Sequence, residues 1–278
     1  MRLAAARNVA KAWVLAGVLA APAGAFGYAA NAWNGLTLFV FCALLALAAL
    51  YAYGDRALLG MLGAREYALA EDPILRSTVD TLAAKLDVLP PKLYLIADGF
   101  PRAFAVGRGP RSSALAVSTG LLGALPPAEL EAVLAHELAH IRARDVLVQT
   151  LAVLLAVLLV DLSRIGGWLE RALRAALAPV AGAFVHLLLS PKRELAADAV
   201  AARLCGTPHG VADALVRLDR ASDLVAFEAH PATSPLYTVD PFAPEGLAPF
   251  FATHPPLALR LARLRSAAPD EHANGRAA

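Results

Sequence analysis

The sequence predicts a mainly α membrane protein, with four predicted transmembrane or membrane-embedded helices and a small α+β domain. The first observation is composition: of 278 residues, 58% are hydrophobic and 17% charged, which is too apolar for an ordinary soluble domain. The second is a stretch from Ala12 to Gly54 without a charge or a histidine. It is about twice the roughly 20 residues that one helix needs to span a bilayer. The third is a pair of later uncharged runs, Val146 to Val160 and Ala175 to Pro191, broken only by His186. A net charge of +2, with no basic run carrying interleaved aromatics, gives no reason to invoke nucleic acid as a partner. Cys42 and Cys205 lie far apart, so no disulfide framework is implied, which suits a reducing compartment.

Residues 1–54 read as an N-terminal transmembrane hairpin. Asn31-Ala32-Trp33-Asn34-Gly35 supplies the turn residues and an interfacial tryptophan. Arg2, Arg7 and Lys11 precede the first span and Arg56 and Arg65 follow the second, while the turn is uncharged. The positive-inside rule therefore places both ends in the cytoplasm. A cleaved signal segment is the rival reading, and the second apolar run, Leu36 to Tyr53, argues against cleavage.

Residues 55–145 are soluble in character. Asp72 caps a helix that has Pro73 at its first position, with Leu75, Val79, Leu82 and Leu86 on one face. Three short extended segments follow Pro90-Pro91: Lys92 to Ala97, Ala103 to Gly107 and Ala114 to Thr119, separated by Gly, Pro and Arg. A small sheet thus precedes the next helix. An extended peptide can add itself to an edge strand through main-chain hydrogen bonds, which makes Ala103, Phe104 and Ala105 the candidate substrate-binding residues. The plain alternative is that these strands only pack against the helix.

That helix opens at Pro126-Pro127, with Glu129 and Glu131 near its positive end and Leu130, Val133, Leu134 and Ile141 as its apolar stripe. In its middle stands Ala135-His136-Glu137-Leu138-Ala139-His140. Histidines four apart share one face of a helix, and neutral imidazole is a ready zinc ligand. A catalytic zinc site needs three protein ligands and leaves a fourth position for water, towards which Glu137 points. The competing reading is a chance match of two surface histidines that bind nothing.

Residues 146–190 read as a second membrane-helix pair, although 15 residues rise only about 22 Å against a hydrocarbon core of roughly 30 Å. Arg164, Arg171 and Arg174 lie in the link, and His186 reads as a helix-packing residue. In residues 191–265 the chain returns to the cytosolic part. Ser190 and Pro191 start a helix on which Glu194 and Asp198 share a face, giving one metal ligand and one carboxylate to support a histidine. Both acids standing free in solvent is the default for an isolated pair. From Asp223 to Phe251 a proline-rich stretch reads as a long loop that either lies over the site or is disordered. His254, in the proline-fixed turn Thr253-His254-Pro255-Pro256, is a candidate donor to the charge that develops on a substrate oxygen, with Arg260 as its rival. The helix after that turn runs from Leu257 to Leu264, and residues 266–278 read as a flexible tail.

Pro101-Arg102-Ala103-Phe104-Ala105, Ala116-Val117-Ser118-Thr119-Gly120-Leu121-Leu122, Glu131 to Ile141, Arg193-Glu194-Leu195-Ala196-Ala197-Asp198 and Thr253-His254-Pro255-Pro256-Leu257 resemble, in order, the motifs of HtpX-type membrane zinc metalloproteases. The resemblance covers most of the chain from about Asp72 to Arg265. It implies a zincin-like catalytic domain holding one zinc ion through His136, His140 and Glu194, with Glu137 as the base. It also implies a multi-pass protein of the bacterial inner membrane, with its site facing the cytoplasm, that degrades misfolded or damaged membrane proteins as part of protein quality control. Its partners are then polypeptides and the lipid bilayer. The chain departs from the pattern at Arg102, where the family commonly has asparagine, which puts in doubt any contact that asparagine makes to substrate. CAAX prenyl endopeptidases share the zinc helix and the downstream acids but have more membrane helices than this chain supplies. A non-catalytic zinc-binding membrane scaffold or sensor is the alternative of another class, and an intact Glu137 speaks against it.

Overall fold

The computed structural model describes residues 2–68, 71–224, 230–239 and 250–266. Helix α1, Arg2–Met61, is folded in two at Asn31 and Ala32, whose φ/ψ of −153/47° and 41/−131° leave the helical region. Its arms meet closely. A Cβ at Gly27 would run into the Gly35 backbone, and one at Gly35 into that of Gly27, so only glycine permits this approach. The Phe26 and Phe39 rings lie edge to face across the same seam, 5.2 Å apart. The hairpin anticipated from the uncharged run is therefore present, but its bend is tighter than the five-residue turn read there, because Trp33, Asn34 and Gly35 already belong to the second arm.

Three helical stretches among the described residues are long and apolar enough to cross a membrane: Ala20–Met61, Asp145–Leu162 and Gly167–Leu188. Three stand where four helices were expected, since the fold-back at Asn31 and Ala32 lies inside the first. Phe26, Leu38, Phe41 and Leu45 of α1 are exposed large apolar side chains, as a lipid-facing surface requires.

The sheet comprises β1, Ala64–Glu66, β2, Lys92–Ile96, β3, Ala103–Gly109, and β4, Ser112–Ser118, in the order β1-β2-β4-β3. Strand β2 runs parallel to β4, with Leu95 opposite Val117, and the other two pairings are antiparallel. Strand β1 has no counterpart in the sequence reading, because three residues, partly exposed, carry no detectable period. Strand β3 lies at one edge of the sheet. Its alternate residues face two cores, Ala103 and Ala105 one, Phe104 and Val106 the other.

The first core is built by α2, Pro73–Leu86, α4, Pro127–Ala143, α7, Pro191–Leu204, and α8, His209–Leu224, against one face of the sheet. Asp72 caps α2 by accepting from the Leu75 N–H at 2.9 Å. Short helix α3, Thr119–Ala124, leads from β4 towards α4, and α9, Leu257–Ser266, adds Leu264 to this core. Leu134 and Leu138 of α4 are fully buried, each worth about 1.5–3 kcal/mol relative to exposure, so the helix is fixed in rotation. The second core joins α1, α5, Asp145–Leu162, and α6, Glu170–Leu188, to the opposite face of the sheet. A single residue, Arg144 at φ 61°, separates α4 from α5 and lets the chain reverse there.

Two details differ from the sequence reading. Helix α6 begins at Glu170, so Arg171 and Arg174 are helical and the link is the 3-10 segment Ser163–Leu169. Arg174 pairs with Glu170 one turn back, which the reading of that stretch as a charged loop overlooked. His186 is exposed on α6 and does not pack into the bundle.

Candidate metal centre

Helix α4 carries His136 and His140 on its buried face, and α7 brings Glu194 against them. Their ligand atoms form a small triangle: His136 Nε2 is 3.1 Å from His140 Nε2 and 3.4 Å from Glu194 Oε2, and His140 Nε2 is 3.6 Å from that oxygen. Ligand atoms of a tetrahedral zinc site with bonds of about 2.0–2.1 Å stand about 3.3–3.4 Å apart, so the triangle has the size such an ion needs. Among the described residues these three are the group of histidines, cysteines and acids able to hold a metal ion.

The outer ring nitrogens fix the tautomers. His136 Nδ1 lies 2.9 Å from Asp198 Oδ1, and His140 Nδ1 is hydrogen-bonded to Asp145 Oδ2 at 2.9 Å. With a carboxylate beside each Nδ1, both Nε2 atoms face the centre. Two protonated Nε2 atoms could not stand this close, whereas two lone pairs converging on a cation can. Charge agrees with geometry. Four carboxylates, Glu137, Asp145, Glu194 and Asp198, are met by Arg193 and Arg260, leaving an excess of two negative charges that a divalent cation balances.

Among the protein groups alone, burial pulls the His140 imidazole down, but Glu194 and Asp145 outweigh it and hold it at about 10. Burial raises Asp198, yet Arg260 and His136 bring it down to about 2. Burial likewise works against the charge on Glu194, which His140, His254 and Arg193 hold well below the usual carboxylate range. Glu137 behaves differently. Burial, and after it the Glu194 charge against the two histidines, leaves its carboxyl raised.

Glu137 follows His136 on α4 and points towards the edge strand. Its Oε2 accepts from the Ala105 N–H at 3.1 Å and its Oε1 from the Thr238 hydroxyl at 3.3 Å. Farther along β3, the Gly107 N–H is held by the Thr150 hydroxyl of α5. Of the three strand residues singled out from sequence, Ala103 and Ala105 lie beside the site, whereas the Phe104 side chain is buried in the opposite core. His254 reaches the centre from the turn before α9, with Nε2 3.6 Å from Glu194 Oε2. Burial, together with Arg260, Arg193 and His136, lowers it to about 4 against the pull of Glu194, so it is neutral at pH 7. Arg260 is engaged elsewhere: Nε and Nη2 grip Asp198 at 2.8 and 2.7 Å, and Nη1 donates to the Thr238 carbonyl.

Residues 231–239 lie over this centre, which answers the open reading of the long loop for that part of it. The remainder, 225–229 and 240–249, and the tail, 267–278, fall outside the described residues. The Pro235 carbonyl accepts from Gln149 at 2.8 Å and from Arg193, and Tyr237 contacts Arg102, whose guanidinium is also paired with Asp98 at 2.7 Å. The cavity left between this cover and the ligands measures about 10 Å³.

Sequence reasoning missed three supporting residues. Asp145 stands five residues past His140, beyond the helix-face spacing that was searched, but the demand of a ligand histidine for a carboxylate is a signal that could have found it. Asn8, whose Nδ2 donates to Asp145 Oδ1 at 2.6 Å and to the Ala143 carbonyl, sits in an apolar helix and carried no such signal. Arg260 was noticed as a donor to substrate, not as the partner of Asp198.

A profile of Peptidase family M48 matches residues 69–268. Relatives described as "Protease HtpX homolog" include a protein of Pelotomaculum thermopropionicum, 36% identical over 279 residues, covering 94% of this chain and 99% of that one. One from Acidiphilium cryptum is 44% identical over 232 residues, 77% and 81% of the two chains, and one from Pyrococcus abyssi is 36% identical over 277 residues, 92% and 96%. Among solved structures, the crystal structure of S. mikatae Ste24p shares the fold with a TM-score of 0.53 at 20% identity, over 95% of this chain and 66% of that chain's length.

Proposed function

Since the chain belongs to peptidase family M48 and is a membrane-embedded metalloprotease, we propose that it is a zinc endopeptidase that cleaves misfolded or damaged membrane proteins at the cytoplasmic face of a bacterial inner membrane. The observation that carries this reading is the triangle of His136, His140 and Glu194, with Glu137 beside it and a neutral His254 facing it. One zinc ion is the cofactor. When bound, it supplies Lewis acidity that polarises a peptide carbonyl and acidifies a water molecule.

The protein's own groups do the rest. Asp198 and Asp145 hold the two imidazoles in their ligand tautomers. Glu137 takes the proton of the attacking water and passes it to the leaving amine, a task that suits a carboxyl raised towards the working pH. His254, neutral and buried, donates its N–H to the oxygen on which negative charge grows. Substrate adds as an extended strand along the outer edge of β3 at Ala103 to Ala105, where it takes over the Ala105 N–H that Glu137 holds in its absence. It recognises main chain there, because the Phe104 side chain is turned away. Main-chain recognition tolerates any sequence, as the removal of damaged proteins requires. Phe26, Leu38 and Phe41 support a bilayer around α1, whose two arms, with α5 and α6, would supply four membrane helices. The basic residues flanking the hairpin support a cytoplasmic site.

The test is hydrolysis of an unfolded protein by the purified full chain in detergent, with zinc content measured alongside. Wild type should carry one zinc and cleave. Glu137→Gln should keep zinc and lose cleavage, and His254→Ala should keep zinc and lose turnover by roughly a hundredfold or more. Cleavage by Glu137→Gln at the wild-type rate would reject the reading, and zinc without cleavage in wild type would favour a non-catalytic scaffold.

A further inference from the structure

Away from the metal centre, a cavity of about 320 Å³ opens at the foot of the hairpin, between α1, the segment before β2 and the turn joining β3 to β4. Four cations line it, Arg56, Lys92, Arg108 and Arg111, against one acid, Asp55. Lys92 is offset by Glu66 at 3.5 Å, both of them exposed, so three arginines face the single acid Asp55. These residues are scattered along the chain and form no basic run, so only the fold assembles them.

Position gives the cluster its meaning. The charge-free run of the hairpin ends at Gly54, and Asp55 and Arg56 are the first charges beyond it. Arg108 is held across that boundary. Its guanidinium lies over the ring of Tyr51, 5.7 Å from the centroid, and its Nη2 donates to Ser112 at 2.9 Å. Tyr51 and Tyr53 are exposed, as aromatic side chains at the level of lipid headgroups are. A basic cavity at this depth, open at its mouth and held in place before any ligand arrives, meets the zone where the phosphates of anionic lipids stand.

We propose that this cavity binds the phosphate of an anionic phospholipid headgroup, with Arg56, Arg108 and Arg111 as its donors. Arginine suits the task, since its planar fork can engage two phosphate oxygens at once.

Native mass spectrometry of the zinc-loaded full chain in detergent, titrated with phosphatidylglycerol or with phosphatidylcholine of the same acyl chains, tests the assignment. Phosphatidylglycerol should be retained roughly tenfold more strongly. The double variant Arg56→Gln/Arg111→Gln should bring it down to the phosphatidylcholine level while zinc content and thermal midpoint stay as in wild type. Both side chains are exposed, so the variant tests binding without disturbing a core. Equal retention of the two lipids, or undiminished phosphatidylglycerol in the double variant, would overturn the proposal. A third arm adds inorganic phosphate: phosphatidylglycerol should be retained against phosphate at equal concentration, and its displacement at that concentration would make soluble phosphate the ligand and overturn the lipid assignment.

Discussion

Each ligand histidine depends on a carboxylate that depends in turn on another side chain: His136 on Asp198 and Arg260, His140 on Asp145 and Asn8. The two relays differ in cost. Removing Arg260 leaves Asp198 charged and buried without its cationic partner, with only His136 beside it, so Arg260→Met should destabilise the fold by about 3–5 kcal/mol, measured as a lowered thermal midpoint in detergent. Asp145→Asn keeps the shape but weakens the acceptor for the His140 proton, and should lower zinc affinity by roughly ten- to a hundredfold in competition with a chelator. Asn8→Ala takes one hydrogen bond from that acid and should cost less than Asp145→Asn. If it weakens zinc as much, the relay is not ordered as the distances indicate.

Among the elements, those with a strong local signal were legible. The proline-opened helix that holds His136, Glu137 and His140, the Asp72 cap and the three longer strands stand within a few residues of where the spacing of apolar and turn residues put them. What failed was whatever depends on contacts distant in sequence. Strand β1 exists because β2 offers it a partner, and the bend at Asn31 and Ala32 is tight because Gly27 and Gly35, one on each arm, let the two arms touch. That contact makes a sharp test. Gly27→Leu should drive a side chain into the Gly35 backbone and cost about 1–3 kcal/mol, read as a lowered thermal midpoint. Gly17→Leu, with nothing near its Cβ, should leave the midpoint unchanged.

Over the whole molecule, the metal centre lies between two halves of chain separated by the apolar pair α5 and α6, so His140 and Glu194 can meet only if residues 66–143 and 191–204 share one side of the bilayer. Reporters fused after Arg65 and after Lys192 should therefore give the same reading, which the proposed orientation makes cytosolic, and one placed at Asn31 the opposite; unlike readings for the first two would break the site apart. The cover over that centre has a kinetic consequence. Its Pro235 carbonyl is tied to Gln149 and Arg193, its Thr238 to Glu137 and Arg260, and the space beneath it has room for about one water molecule. No polypeptide fits there, so only molecules with the cover displaced can accept one, and the observed affinity falls in proportion to their share. Abundance then overstates activity. Proteolysis should then follow the share of molecules that stand open, and the rest should act as a silent reserve.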